Sequence, residues 1–182
     1  MLYWVLSFAG GFVTLVALAI ILATILGRRL SPHHTVRATL RIATPIEAVF
    51  ALIDALEAQP GWDKGVTSVE TLAPDGDKVR RRMRMGRNSF VLTDTTREPP
   101  SLLVRTIDDE HKFFGGSWTF ELSRDGEGTK VVLTERGTIT PPIPRFMMKY
   151  FVDPAMYLKR QLAAIARALG QEPRISDVQR LA

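Results

Sequence analysis

Residues 45–72, PIEAVFALIDALEAQPGWDKGVTSVETL, change hydrophobic period partway along, and that change decides the fold. Val49, Phe50, Ile53 and Leu56 recur at helical spacing, giving one apolar face over about residues 45–57. Pro60-Gly61 stops the helix, and from Val66 the period drops to two. The helix entry, Thr44-Pro45-Ile46-Glu47, has the pattern of a capping box with proline at the first helical position. Thr44 would accept from the Glu47 amide while Glu47 reached back to the Thr44 amide.

Downstream, the period-two pattern runs to Ile139 and is cut by Asp75-Gly76, Gly86-Arg87-Asn88, Pro99-Pro100 and Asp125-Gly126, all turn signals. Six strands are predicted, near 66–73, 78–86, 88–97, 101–108, 116–123 and 129–140. Upstream, Val36, Ala38, Leu40 and Ile42 alternate with Thr35, Arg37, Thr39 and Arg41, which adds a seventh. Short connections between successive strands favour an antiparallel meander. Beyond Pro141-Pro142-Ile143-Pro144 a helical period returns, with Phe151 before a break and Leu158, Leu162, Ile165 and Leu169 after it, ending at Gly170. Asp153 is expected as N-cap and Pro154 as the first residue of this long helix. Residues 171–182 are expected as a polar tail. The fold class is therefore α+β, about seven antiparallel strands and a long C-terminal helix.

That order, strand, short helices, meander, long helix, resembles the START-related helix-grip superfamily (SRPBCC), which includes polyketide cyclases, coenzyme Q-binding proteins, lipid-transfer domains and the birch-pollen allergen family. The quoted stretch is similar to that group's helix-to-strand signature, with Trp62 ahead of a Val-x-x-Val-Glu strand, Val66 to Glu70. TKVVLTERGTI, residues 129–139, with the proline-rich turn and helix after it, resembles the closing segment. The resemblance implies a curved sheet gripping the last helix, with an apolar cavity between them for a lipid, sterol, polyketide or similar molecule. Fold does not fix activity, and several such subfamilies catalyse nothing.

The first 27 residues are of another kind. Leu2 to Gly27 carries no charge, so all 24 Lys/Arg and 19 Asp/Glu lie in residues 28–182. At 1.5 Å per residue the segment makes roughly 38 Å of helix, enough to cross a hydrocarbon core of about 30 Å. A cleavable signal peptide is the rival, but it would open with a basic region, whereas apolar residues here start at position 2. Residues 1–27 are thus expected as a transmembrane anchor, 28–33 as a juxtamembrane linker and 34–170 as the ligand-binding domain. Arg28, Arg29 and Arg37 after the span place that domain in the cytoplasm, at the inner membrane in a bacterium. Tyr3 and Trp4 would occupy the opposite interface. Ser7, Gly10, Thr14 and Ala17 form a small-residue stripe that either packs weakly against a second copy or is chance.

The absence of cysteine excludes a disulfide framework, thiolate chemistry and cysteine metal sites. A net charge of +5, interrupted by acids, argues against nucleic acid and suits anionic headgroups better. There is no Gly-x-Ser-x-Gly elbow, phosphate-binding glycine loop or His-Glu-x-x-His, and His33, His34 and His111 lack metal-site spacing; neither cofactor nor metal is expected.

Strand parity nominates the site. Val79, Arg81, Met83 and Met85 share a face, as do Val131, Leu133, Glu135 and Ile139, so an inward Arg81–Glu135 pair is one reading, orienting a ligand or acting in acid/base chemistry. A solvated pair at the sheet's open end, or a bulge, is the other. Met83, Met85, Phe90, Leu92, Trp118, Phe120, Leu133, Phe151 and Leu158 are the cavity candidates, with plain core as the alternative. Lys78, Arg80, Arg82, Arg84 and Arg87 form a basic ridge that either meets anionic lipid or is solvated. Phe146, Met147, Met148, Tyr150 and Phe151 either gate the cavity, dip into the interface or cap the core. The expectation is a membrane-anchored binding or carrier module for a hydrophobic small molecule. A cyclase- or dehydratase-like enzyme using Arg81, Glu135 or Asp94 is the alternative.

Overall fold

The computed structural model describes the backbone of residues 2–76, 78–108 and 113–181, and side chains over the same ranges from residue 11 onward. Tyr3, Trp4, Ser7, Gly10 and His111 of the sequence reading have side chains outside the described residues. Helix α1 (Leu2–Arg29) is followed by β1 (His33–Ile42), α2 (Ile46–Asp54), a 3-10 turn (Leu56–Gly61), β2 (Ser68–Thr71), β3 (Arg80–Met85) and β4 (Asn88–Glu98). Then come β5 (Leu102–Asp108), β6 (Phe114–Asp125), β7 (Gly128–Ile139), α3 (Pro142–Tyr150), α4 (Met156–Ala168) and β8 (Arg174–Leu181). The strands form one curved antiparallel sheet in the order β2-β3-β4-β5-β6-β7-β1-β8. Helix α4 packs on β1, β7 and β8, and α2 lies against α4 and the β6–β7 part of the sheet. This is the helix-grip fold.

Register explains where the core sits. Leu103, Phe120, Leu133 and Ala38 stand side by side across β5, β6, β7 and β1, every one of them fully buried. Leu122, Val131 and Leu40 form the next row toward the sheet's closed end. Onto these rows pack Val49, Phe50 and Ile53 of α2 and Leu158, Leu162 and Ile165 of α4, the helical positions that the sequence period selected. Each such large side chain contributes about 1.5–3 kcal/mol by leaving water.

Three local expectations are corrected. The capping box does not form: Pro45 is the N-cap, the Thr44 hydroxyl accepts from Gln171 at 2.7 Å, and Glu47 accepts from Arg124 at 2.7 Å. The long helix starts at Met156 rather than Pro154, although the Asp153 carboxylate does accept the Ala155 amide at 3.0 Å. Most of the expected polar tail is strand β8, an eighth strand paired with β1. Asp177 at φ 51° and a register shift opposite Arg37–Thr39 put a bulge in it.

Helix α1 is long and apolar enough to cross a membrane; an 18-residue window within Gly11–Arg29 has a mean hydropathy of 2.1. Its C-terminal end rests against α3. Gly27 lies on the Pro142 backbone so closely that a Cβ there would overlap the Pro142 carbonyl. Arg145 of α3 donates to the Leu30 carbonyl at 2.9 Å and to the Thr140 carbonyl at 2.6 Å. The start of the domain and α3 are thereby tied together.

Candidate functional site

Moving from the closed end of the sheet toward the open one, the inner face changes character. The row after Leu103–Phe120–Leu133–Ala38 is Asp94, Arg105, Trp118, Glu135 and Val36, one from each of β4, β5, β6, β7 and β1. The row beyond it contains Ile107, Gly116, Gly137 and His34. Two adjacent strands thus present glycine in this row, and Gly137, with Gly115 beside it, lies on the wall of a space. Gly116 sits at φ 138°, and a Cβ there would strike the Arg136 carbonyl; at Gly137 it would strike the His34 ring. The backbone itself therefore requires glycine at the first position, and the imidazole lying over the strand requires it at the second.

The space is a cavity of about 730 Å³ between the sheet and α4, within the range of small-molecule sites. Its apolar wall includes Met85, Phe90, Ile107, Phe114, Trp118, Ile139, Met148 and Met156. Glu135 is the centre of its polar side: one carboxylate oxygen lies 3.2 Å from Nε2 of His34, and the other accepts from the Trp118 indole at 3.3 Å. Tyr157 of α4 stacks on Trp118 with ring centroids 4.9 Å apart, and the Arg160 guanidinium sits 5.6 Å from the Tyr157 ring centre. The Tyr157 hydroxyl is buried without a protein partner, and burial beside the Glu135 carboxylate pushes its pKa well above the usual phenol range. It stays a neutral O–H inside the protein.

Of the sequence-nominated residues, the structure places Met85, Phe90, Trp118 and Glu135 on the cavity wall. Met83, Leu92, Phe120, Leu133 and Leu158 are packed core instead, each at most 1% exposed. Their parity is inward, but they lie in rows that other side chains fill. Phe151 is 68% exposed, lies against Phe146 with ring centroids 5.9 Å apart, and is not on this cavity's wall. The Arg81–Glu135 pair does not form. Arg81 does sit on the face of Met83, but its Nε donates to Glu57 at 2.6 Å and its Nη1 to Asp94 at 3.0 Å. Asp94 also accepts from Arg105 at 2.9 Å, so both former catalytic candidates on this side belong to an ion network that ties α2 and the 3-10 turn to the sheet. The ridge residues Arg80, Arg82 and Arg84 lie on the outer face of β3, five strand spacings, roughly 24 Å, along the sheet from β1. His34, Tyr157 and Arg160 went unnominated. His34 has the parity of Val36, Ala38 and Leu40, so extending the β1 alternation by one step finds it. Among the described residues no group of three or more His, Asp or Glu is placed to hold a metal ion.

A curved antiparallel sheet, a gripped C-terminal helix and an apolar cavity with a few convergent polar groups define a START-related (SRPBCC) domain. Residues 33–170 match the family described as polyketide cyclase / dehydrase and lipid transport, and the chain belongs to that family. Among solved structures, it is similar to a START superfamily protein from Mycobacterium smegmatis, with 18% identity, a TM-score of 0.60, and coverage of 75% of this chain and 97% of that one. It is also similar to the Zhui aromatase/cyclase from a Streptomyces species, with 15% identity, a TM-score of 0.59, and coverage of 73% and 91%. A conserved protein from Geobacillus kaustophilus is a third, at 12% identity, TM-score 0.60 and coverage of 79% and 99%. At these identities the likeness is one of fold. No curated protein matches the chain in sequence.

Proposed function

We propose that the chain is a membrane-anchored binding or carrier protein for an amphipathic, lipid-like molecule, with α1 as a single span and the domain on the cytoplasmic side. The observation that carries this reading is the position of the cavity. Phe114 and Met156 belong to its wall and are also 45% and 61% exposed, which makes them its rim. Met148 on the same wall belongs to α3, the helix that rests on the end of α1. Held there, the cavity sits beside a bilayer, and the anchor keeps its local concentration relative to lipid high without demanding membrane affinity from the domain. The apolar wall would take the hydrocarbon, and Glu135 and His34 would take the polar end.

The test is mass spectrometry of small molecules retained by the purified full chain. One equivalent of an amphiphile is expected, and Ile107→Trp, which fills the cavity, removes it while circular dichroism shows the fold intact. No bound molecule, with no uptake of added fatty acids or isoprenoids, would overturn the carrier reading.

The Glu135–His34 contact favours a second reading, a proton-transfer catalyst of the cyclase or dehydratase type, since two titratable groups in hydrogen-bond contact face the same space. The discriminating measurement is Glu135→Gln. A carrier returns its ligand chemically unchanged from both wild type and variant, whereas a catalyst converts it in the wild type and leaves it unconverted in the variant.

A further inference from the structure

A second cavity, of about 490 Å³, lies between the juxtamembrane residues Leu30–Pro32, α3 and the end of β8. Arg145, Lys149 and Arg180 line it together with His33 and His34, and no Asp or Glu does. Arg145 is its fixed element. Two of its five N–H donors hold the Leu30 and Thr140 carbonyls, while Nε is shut off from solvent without a partner. Neither Arg145 nor Lys149 forms an ion pair with any described carboxylate, and Arg180 reaches only Asp153, at 3.7 Å. Glu135, on the wall of the larger cavity, is engaged by His34. A half-buried guanidinium with spare donors and no counter-charge is a site for an anion. The rest of the lining, Leu30, Pro32, Val36, Met148 and Leu181 among it, is apolar. The pocket therefore fits an anion that carries hydrocarbon.

We infer that this pocket binds the phosphate of an anionic glycerophospholipid, one taken from the leaflet in which α1 ends. Arg145 and Lys149 meet the phosphate, Arg180 closes over it, and the glycerol and first acyl carbons lie along Leu30, Pro32 and Met148. The source is the bilayer because the pocket's floor is the segment immediately following α1. The site is separate from the large cavity but adjoins it, with His34, Ile139 and Met148 common to both walls. It requires α1 to lie in a membrane and is indifferent to what the large cavity holds.

Native mass spectrometry of the full chain from micelles doped with equal phosphatidylglycerol and phosphatidylcholine tests it. Retention of one phosphatidylglycerol at least tenfold over phosphatidylcholine is expected, falling to parity in Lys149→Glu/Arg180→Glu. Arg145→Ala also frees two backbone carbonyls, so the exposed pair carries the test. Ile107→Trp leaves the phosphatidylglycerol in place if the site is this one; its loss there would move the lipid to the large cavity and overturn the assignment. Equal retention of the two lipids, a preference that survives the double substitution, or displacement by millimolar inorganic phosphate would each overturn it as well.

Discussion

Arg105 and Asp94 face each other across β5 and β4, Nε to Oδ1 at 2.9 Å, with only 2% of the arginine side chain exposed. Burial pulls the Arg105 guanidinium below its ordinary pKa, and the Asp94 charge opposes that pull. The same carboxylate binds Arg81 through its other oxygen, and Arg105 reaches on to the Asp54 carbonyl at 3.1 Å. Removing one member leaves a buried charge uncompensated. Asp94→Ala is expected to cost about 3–5 kcal/mol in urea unfolding, and Asp94→Ala/Arg105→Met to regain much of it, because replacing a buried pair with apolar groups is often near neutral.

Acid should weaken the same region. The Arg97 hydrogen bond to Asp54 holds that carboxyl below its ordinary 3.8. For Glu57 burial pushes upward, but the Arg81 hydrogen bond and charge outweigh it, and its pKa falls below 4.5. Folded values depressed relative to the unfolded chain mean stability that is present above the unfolded pKa and lost as pH falls through the folded one. Unfolding free energy should hold from pH 7 to about 5 and decline below that. Asp54→Asn/Glu57→Gln should flatten the decline; an unchanged slope would place its origin elsewhere.

Gly137 and His34 are interlocked. Gly137→Ala is expected to push the imidazole off the strand, break its contact with Glu135, and cost about 1–3 kcal/mol as an overpacked site does. Ligand retention should drop with it. His34→Ala in the same chain should restore stability but not ligand retention, separating crowding from recognition.

The fold was legible because its periods are clean, and the site was less so because register is not local. Parity alone turned both Arg81 and Glu135 inward. Which carboxylate meets Arg81 depends on where α2 and the 3-10 turn deliver Glu57, and on the diagonal from β3 to Asp94. Parity also does not distinguish Phe120, in a filled row, from Trp118 one row higher beside the glycines. In β8 the apolar residues Ile175 and Val178 are three apart, since the bulge at Asp177 consumes a residue, so the alternation that marks a strand is broken. Thr44 and Glu47 had the right spacing for a cap and found stronger long-range partners in Gln171 and Arg124.

Tyr150 and Phe151 are 58% and 68% exposed at the end of α3, beside Met147 at 44%. Apolar side chains left in water on the helix that packs against α1 are expected to enter the bilayer interface. In vesicles with brominated acyl chains, Phe151→Trp should add emission that bromine quenches, whereas Arg84→Trp, on the outer face of β3, should add emission that it does not. Equal quenching of both would remove α3 as the membrane-facing side.

The proposed orientation rests on Arg28 and Arg29 at the C-terminal end of α1, since basic residues flank the cytoplasmic end of a span. The chain has no cysteine, so one introduced at the exposed Arg87 of the β3–β4 turn is a unique label site. In spheroplasts of a bacterial host, Arg87→Cys should resist a membrane-impermeant maleimide until the cells are lysed. Labelling of intact spheroplasts would place the domain outside. The large cavity would then draw on the opposite leaflet, and the phosphate site beside Arg145 would face that leaflet's lipids instead.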